Sequence, residues 1–277
     1  MIQQLHIPKN PALSQVVKFM TYVELTKEDI LDGWTAIFPN ATTNIMISLD
    51  DDILVNQTST VNSIYTSCSS TVFFKPYVGM KFMTVQFNGY GLSYVKKIPA
   101  HELLDTLNHL DLIFSMSEID RISMRLKESK SITDKFSVLE MFISKKIGIP
   151  EVDPRLPYAL DLLSSGHSIT IDALSESLCI SNRGLQKLFK KHIGMSPSYY
   201  RKIIRFNKAV QLLSMNSESS LTQISYACGY FDQAHFIKDF REFGGLSPSE
   251  FLRHKANRSD FYNYRITKLD TLVDLNH

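Results

Sequence analysis

The chain predicts an α+β fold of two domains: a small β-barrel with added helices, then an all-α domain. Three observations carry this. Residues 1–95 hold short β-rich runs broken by turns, residues 100–147 turn helical, and a fifteen-residue stretch is written twice, 51 positions apart. At 277 residues the chain is long enough for two domains with cores of their own.

In the first half, β-rich runs fall at Ala36–Phe38, Asn44–Leu49, Ile53–Val55, Ser70–Phe74 and Lys81–Phe87. Pro39-Asn40 and Asp50-Asp51-Asp52 read as turns. Asn88-Gly89, before Tyr90–Val95, predicts a two-residue hairpin. Many short strands with frequent turns suggest a small barrel or sandwich. Two helical stripes follow: Leu103, Leu104, Leu107, Leu110 and Ile113, then Phe136, Leu139, Phe142 and Ile143. They either build a dimer interface or pack on the domain's own strands. The run from Gly148 to Pro157 has three prolines and few core residues, so 148–157 reads as a linker between domains at 1–147 and 158–255. Residues 256–277 form a tail.

The repeat sets residues 188–202, LFKKHIGMSPSYYRK, against residues 239–253, DFREFGGLSPSEFLR. In each copy a helix ends at a Gly, where positive φ is free of strain. A Ser then caps the next helix, with Pro at its first position. Before the first copy, Thr170 and Ser181 can cap two helices in close succession, and Ser220 and Asp232 do the same before the second. Each pair is a helix-turn-helix candidate. The second turn is one residue longer: Leu174 to Leu185 spans 11 positions, Ile224 to Phe236 spans 12. Between the units, residues 196–215 fit one long helix with Tyr200, Ile203, Ile204, Ala209, Val210, Leu212 and Leu213 inward. Twenty residues give about 30 Å of strut, close to the roughly 34 Å between successive major grooves on one face of DNA.

Net charge is only +2, so the case for a nucleic-acid partner is local. From Cys179 to Ser217 there is no Asp or Glu, against Arg183, Lys187, Lys190, Lys191, Arg201, Lys202, Arg205 and Lys208. Such a run suits phosphate contacts and a salt-dependent affinity.

These residues resemble the AraC/XylS family of bacterial transcription regulators. The carriers are Gly229-Tyr230-Phe231-Asp232-Gln233-Ala234-His235-Phe236, then Phe240-Arg241, then Gly245-Leu246-Ser247-Pro248, and the likeness covers residues 156 to about 254. Ser175 and Ser225 replace a usual Ala, and Cys179 replaces a frequent Gly. The resemblance implies that the second helix of each unit reads a major groove. By position, the base-reading residues would be Arg183, Gln186 and Lys187, then Gln233, Ala234 and Lys238. Arg or Lys can bond guanine and Gln can bond adenine, while Ala reaches only a thymine methyl. Lys190, Arg201, Lys202, Arg205 and Arg241 would serve phosphates. His235, next to Phe236, predicts a packed structural side chain.

The first half resembles, more loosely, the cupin-like sensor barrel of the same family. The carriers are Asp32-Gly33-Trp34, Phe38-Pro39-Asn40, Phe87-Asn88-Gly89-Tyr90-Gly91 and Ile98-Pro99-Ala100-His101-Glu102-Leu103. The likeness implies a domain that binds a small-molecule effector, forms a homodimer, or both. Trp34, Tyr65, Phe73, Phe82 and Tyr90 would line an effector pocket or fill a core. Double-stranded promoter DNA and RNA polymerase are the further partners implied, in a cytoplasmic, nucleoid-associated setting.

Other functions find little support. The sequence holds no phosphate-binding Gly-rich loop, dinucleotide fingerprint, nucleophile elbow or zinc-protease motif, so no catalytic residue and no cofactor are expected. His101, Asp105 and His109 fall at i, i+4 and i+8 of a predicted helix, a metal edge that polar faces also produce by chance, and no metal is expected. Three cysteines at 68, 179 and 228 share no metal or redox spacing and suit a reducing compartment. No apolar run reaches membrane-spanning length, and the first ten residues lack a signal-peptide core.

Overall fold

The computed structural model describes residues 2–256 apart from 28–34, 51–52, 56–57, 61, 66–70, 96–97, 149–151, 166–168 and 216–218. The first half is antiparallel β. One sheet has six strands: β1 (Ile2–His6), β2 (Val17–Glu24), β4 (Asn44–Ser48), β7 (Asn62–Tyr65), β9 (Lys81–Phe87) and β10 (Leu107–His109), in the order β1-β2-β9-β4-β7-β10. A second sheet holds β3 (Thr35–Ile37), β5 (Ile53–Val55), β6 (Thr58–Thr60) and β8 (Val72–Lys75), in the order β3-β8-β5-β6. Among the described residues no ladder joins the sheets, so the expected barrel is two sheets rather than a closed ring.

Alternation along the central strands sets the first core. Met20, Tyr22, Ile45, Ile47, Ile64, Met83 and Val85 share one buried face, with Met20 opposite Val85 and Ile47 opposite Met83. Against that face lie α1 (Pro11–Ser14), α2 (Met116–Glu128) and α3 (Ile132–Ser144), through Leu13, Ile119, Ile122, Leu126, Phe136, Leu139 and Ile143. A one-residue slip of β4 would turn Ile45 and Ile47 away and bring in Asn44 and Met46.

Two expectations fail here. Residues after Asn88-Gly89 do not form a strand: Gly91–Tyr94 is a 3-10 turn. Asn88 explains it, because its backbone N–H donates to Val16 O and its side chain to Gln15 O, drawing the chain onto the start of β2. Gly91 then sits so close that a Cβ would lie 2.3 Å from Val16 O. The stripe from Leu103 to Ile113 is not a helix either. It is a 3-10 turn at Ala100–Glu102, strand β10, and a 3-10 turn at Leu110–Leu112. Leu103, Leu110 and Ile113 are still buried, so apolar spacing mimicked a helix that the backbone does not adopt. His101, Asp105 and His109 accordingly share no helix face, and Asp105 has φ +58°.

Among the described residues the second half holds seven helices: α4 (Arg155–Ser164), α5 (Ile171–Ser177), α6 (Asn182–His192), α7 (Pro197–Ser214), α8 (Leu221–Ala227), α9 (Gln233–Gly244) and α10 (Pro248–Ala256). The expected linker is shortened from its far end. Pro157 lies in the first turn of α4, where a missing N–H is harmless, and Leu156 is fully buried. On α7 the inward stripe is Tyr200, Ile203, Phe206, Ala209, Val210 and Leu213. Phe206 is the residue that apolar spacing missed. Its ring lies 5.1 Å from Phe240, 5.5 Å from Phe243 and 5.3 Å from Phe38.

Phe38 belongs to the first half, so the halves share a core. Phe38 and Ala41 are buried among the helices of the second half. Asn207 Nδ2 donates to Pro39 O (2.9 Å) and Thr71 Oγ1 to Phe243 O (2.6 Å). At the other unit, Ser93 Oγ meets His192 Nδ1 at 3.1 Å. Gly89 fits against Leu160 and Ile193, where a Cβ would stand 3.3 Å from each.

Candidate nucleic-acid interface

Each unit is built by caps. Thr170 Oγ1 accepts from Ala173 N at the start of α5, and Ser181 Oγ from Gly184 N at the start of α6. In the second unit Ser220 and Gln223 form a reciprocal capping box on α8, and Asp232 Oδ1 accepts from His235 N on α9. Ser196 caps α7, with Pro197 at its first position. Gly194 and Gly245 end α6 and α9 at φ +90° and +74°. The turns inside the units match as well: Cys179 has φ +52° where Gly229 has φ +74°. Ser175 and Ser225, both buried, donate back to Asp172 O and Thr222 O at 2.8 Å, so each hydroxyl is satisfied in the tight α5–α6 and α8–α9 contacts.

On α6, Leu185 and Phe189 face the core while Arg183, Gln186 and Lys187 are exposed. Their spacing puts the three on one outward face. Lys190 is exposed one turn further along. On α9, Phe236 and Phe240 face inward, Ala234 and Lys238 are exposed and Gln233 is half-buried. The first helical residue is tethered in both units: Asn182 Nδ2 donates to Asp172 Oδ1 (2.5 Å), and Thr222 Oγ1 donates to Gln233 Oε1 (2.8 Å). Between them α7 spans 18 residues, about 27 Å.

The basic side chains divide into two sets. Lys190 and Arg241 are exposed, and Arg205 stacks its guanidinium 5.5 Å from the Tyr230 ring. Lys202 is engaged within the protein, its ammonium 3.1 Å from Asp239 Oδ1 and 3.4 Å from Glu242 Oε2. Asp239 is only 1% exposed, so Lys202 is the cation that offsets a buried carboxylate. Burial opposes the charge on Lys202, but the bond to Asp239 and the fields of Asp239 and Glu242 outweigh it and raise its pKa. Arg201 donates to Ile169 O at 2.7 Å and ties α7 to the start of the first unit. A stretch with no acid of its own thus receives acids from α9. His235 does not pack in the core as expected: its side chain is about half exposed, and Nε2 lies 3.4 Å from Asp239 Oδ2.

Of the residues expected to line an effector pocket, Phe82 and Tyr90 have described side chains. Phe82 is buried on β9, while Tyr90 packs against the core of the second half. Tyr65 and Phe73 lie on β7 and β8. Trp34 is outside the described residues. Among the described residues no group of His, Cys, Asp and Glu could hold a metal, and no helix is long and apolar enough to cross a membrane.

Two short-turned helix pairs at the ends of one strut, each presenting a polar helix outward, define a double helix-turn-helix DNA-binding module. The family described as helix-turn-helix domain matches residues 174–254. Over 110 residues the chain is 32% identical to the HTH-type transcriptional regulator ArgR of Pseudomonas aeruginosa, covering 39% of this chain and 33% of that protein. It is 32% identical over 105 residues to the HTH-type transcriptional activator RhaS of Escherichia fergusonii, 37% of each chain. A solved AraC-type regulator structure from Chromobacterium violaceum is 31% identical, with a TM-score of 0.35, covering 37% of this chain and 93% of that one. The chain aligns with about a third of the length of these curated relatives. Residues 174–254 thus carry a helix-turn-helix domain similar to that of these transcription regulators.

Proposed function

We propose that the protein is a sequence-specific, DNA-binding transcription regulator of the AraC/XylS type, acting in the cytoplasm. Residues 158–255 bind double-stranded promoter DNA, with Arg183, Gln186 and Lys187 reading bases through α6 and Gln233, Ala234 and Lys238 through α9. Lys190, Arg205 and Arg241 meet phosphates, while Arg201 and Lys202 hold the module together. Residues 1–147 sense a small-molecule effector or mediate dimerisation, and RNA polymerase is the partner on the promoter. The observation that carries this reading is the outward face of α6, where three base-competent side chains stand clear of the core.

The test is a comparison of wild-type and Arg183→Ala full-length protein on a selected duplex. A lost bidentate base contact weakens binding by about 1–3 kcal/mol and relaxes preference at one position. Unchanged affinity with unchanged preference would remove α6 from the role assigned to it.

A further inference from the structure

The two units match bond for bond up to a single residue. Backbone bonds Cys179 N to Glu176 O and Ile180 N to Ser175 O recur as Gly229 N to Tyr226 O and Tyr230 N to Ser225 O, an offset of 50. The helix caps Ser181 and Asp232 stand 51 apart. The residue that absorbs the difference is Phe231, which has no counterpart in the first unit. It precedes the cap of α9 and is 88% exposed, more than any other large apolar side chain among the described residues.

A lone exposed ring is ordinary on a protein surface, so its place has to make the case. Phe231 stands at the N-terminal end of α9, the end from which a recognition helix contacts base edges. Its neighbours there are Gln233, held by Thr222, and Ala234, too short to reach far. The same turn carries positive charge. The Arg205 guanidinium stacks on Tyr230, and its Nε lies 3.8 Å from where a Cβ on Gly229 would be. The one acid in the turn, Asp232, is committed to capping α9. A polyanion is therefore the partner that suits the turn, and the apolar feature of a major-groove edge is the thymine C5-methyl.

We propose that Phe231 is the thymine reader of the second unit, its ring packed on a thymine C5-methyl in the groove that α9 enters. The inference rests on the DNA-binding function proposed above. It also gives the second unit an apolar base contact that Ala234 alone could supply only weakly.

The test removes the methyl and the ring separately. Full-length protein selects a duplex from a randomised pool, and each thymine of that duplex is replaced in turn by deoxyuridine. One position should lose about fourfold in affinity, the equivalent of about 0.8 kcal/mol for one buried carbon group. In Phe231→Ala that deoxyuridine should have no effect, and the thymine duplex should bind at least about fourfold more weakly. The salt dependence should be unchanged, because no phosphate contact is lost. Phe231→Leu should recover part of the affinity. At 88% exposure the alanine variant should fold, which its Tm checks.

Three results would overturn the proposal: no thymine position that responds, a response that persists in Phe231→Ala, or a Phe231→Ala protein that binds DNA like wild type. In the last case, a loss confined to transcription would move the ring to a protein contact. Failure of wild type to select any duplex would be a different result, removing the DNA-binding function itself and the inference with it.

Discussion

Replacing Cys179 by Gly should stabilise the protein. Cys179 holds φ +52° in the turn between α5 and α6. A non-glycine residue in the left-handed region costs roughly 1–2 kcal/mol, and glycine returns about 0.5–1 kcal/mol of that as extra freedom in the unfolded chain. The thiol is exposed, so little packing is lost. The net gain is about 0.5–1 kcal/mol. Gly229 provides the reciprocal experiment, since it has φ +74° in the matching turn and a Cβ there would come no nearer than 3.8 Å to its neighbours. Gly229→Ala should therefore destabilise through backbone conformation rather than through a clash, by about 1 kcal/mol. Thermal unfolding followed by helical circular dichroism reads both, with Tm moving about 2–4 °C per kcal/mol for a domain of 150–250 residues. Cys179→Gly leaving Tm unchanged or lower, with Gly229→Ala neutral, would refute the claim that positive φ at this turn is what selects glycine.

Lys202→Ala should destabilise the protein by about 1–3 kcal/mol in urea unfolding, because it leaves Asp239 buried without its cation; a loss of DNA affinity at unchanged stability would instead make Lys202 a phosphate ligand. Phe38→Ala should remove a ring shared by both halves and cost about 3–5 kcal/mol, the range for an aromatic taken from a core, with proteolysis between the halves as a second readout. The contact between His192 and Ser93 should weaken in acid. Burial, then the charge of Lys191, holds the His192 pKa below its ordinary value, with Asp153 partly opposing. A depressed His favours the neutral form when folded, so its stabilisation is present above the unfolded value near 6.5 and is lost as pH falls through the folded value. His192→Gln should flatten that part of the stability profile measured from pH 8 to pH 5.

The second half was legible because its signals are local. Thr170, Ser181, Ser196, Ser220 and Asp232 each accept from the backbone N–H three residues ahead, and Gly194, Gly229 and Gly245 take the positive φ that their turns require. Phe206 and the tie from Lys202 to Asp239 were not legible, since the groups that explain them come together only when α7 packs on α9. The first half hid more. Strand β2 is buried along nearly its whole length, so no alternation of polar and apolar residues marks it, and β4 is buried throughout. The Leu103–Ile113 spacing satisfied a helical period while the backbone formed turns and β10. Phe38 read as the end of a strand because nothing nearby in sequence shows that its partner is Phe206.

The most direct measurement is selection of duplexes from a randomised pool by full-length protein at two salt concentrations, followed by sequencing. Two reading helices on a strut of about 27 Å predict an enriched motif with two elements about one helical turn, roughly 10 base pairs, apart. A single short element, or salt-sensitive binding with no enriched sequence, would contradict the account and leave the basic surface as a phosphate-binding face alone.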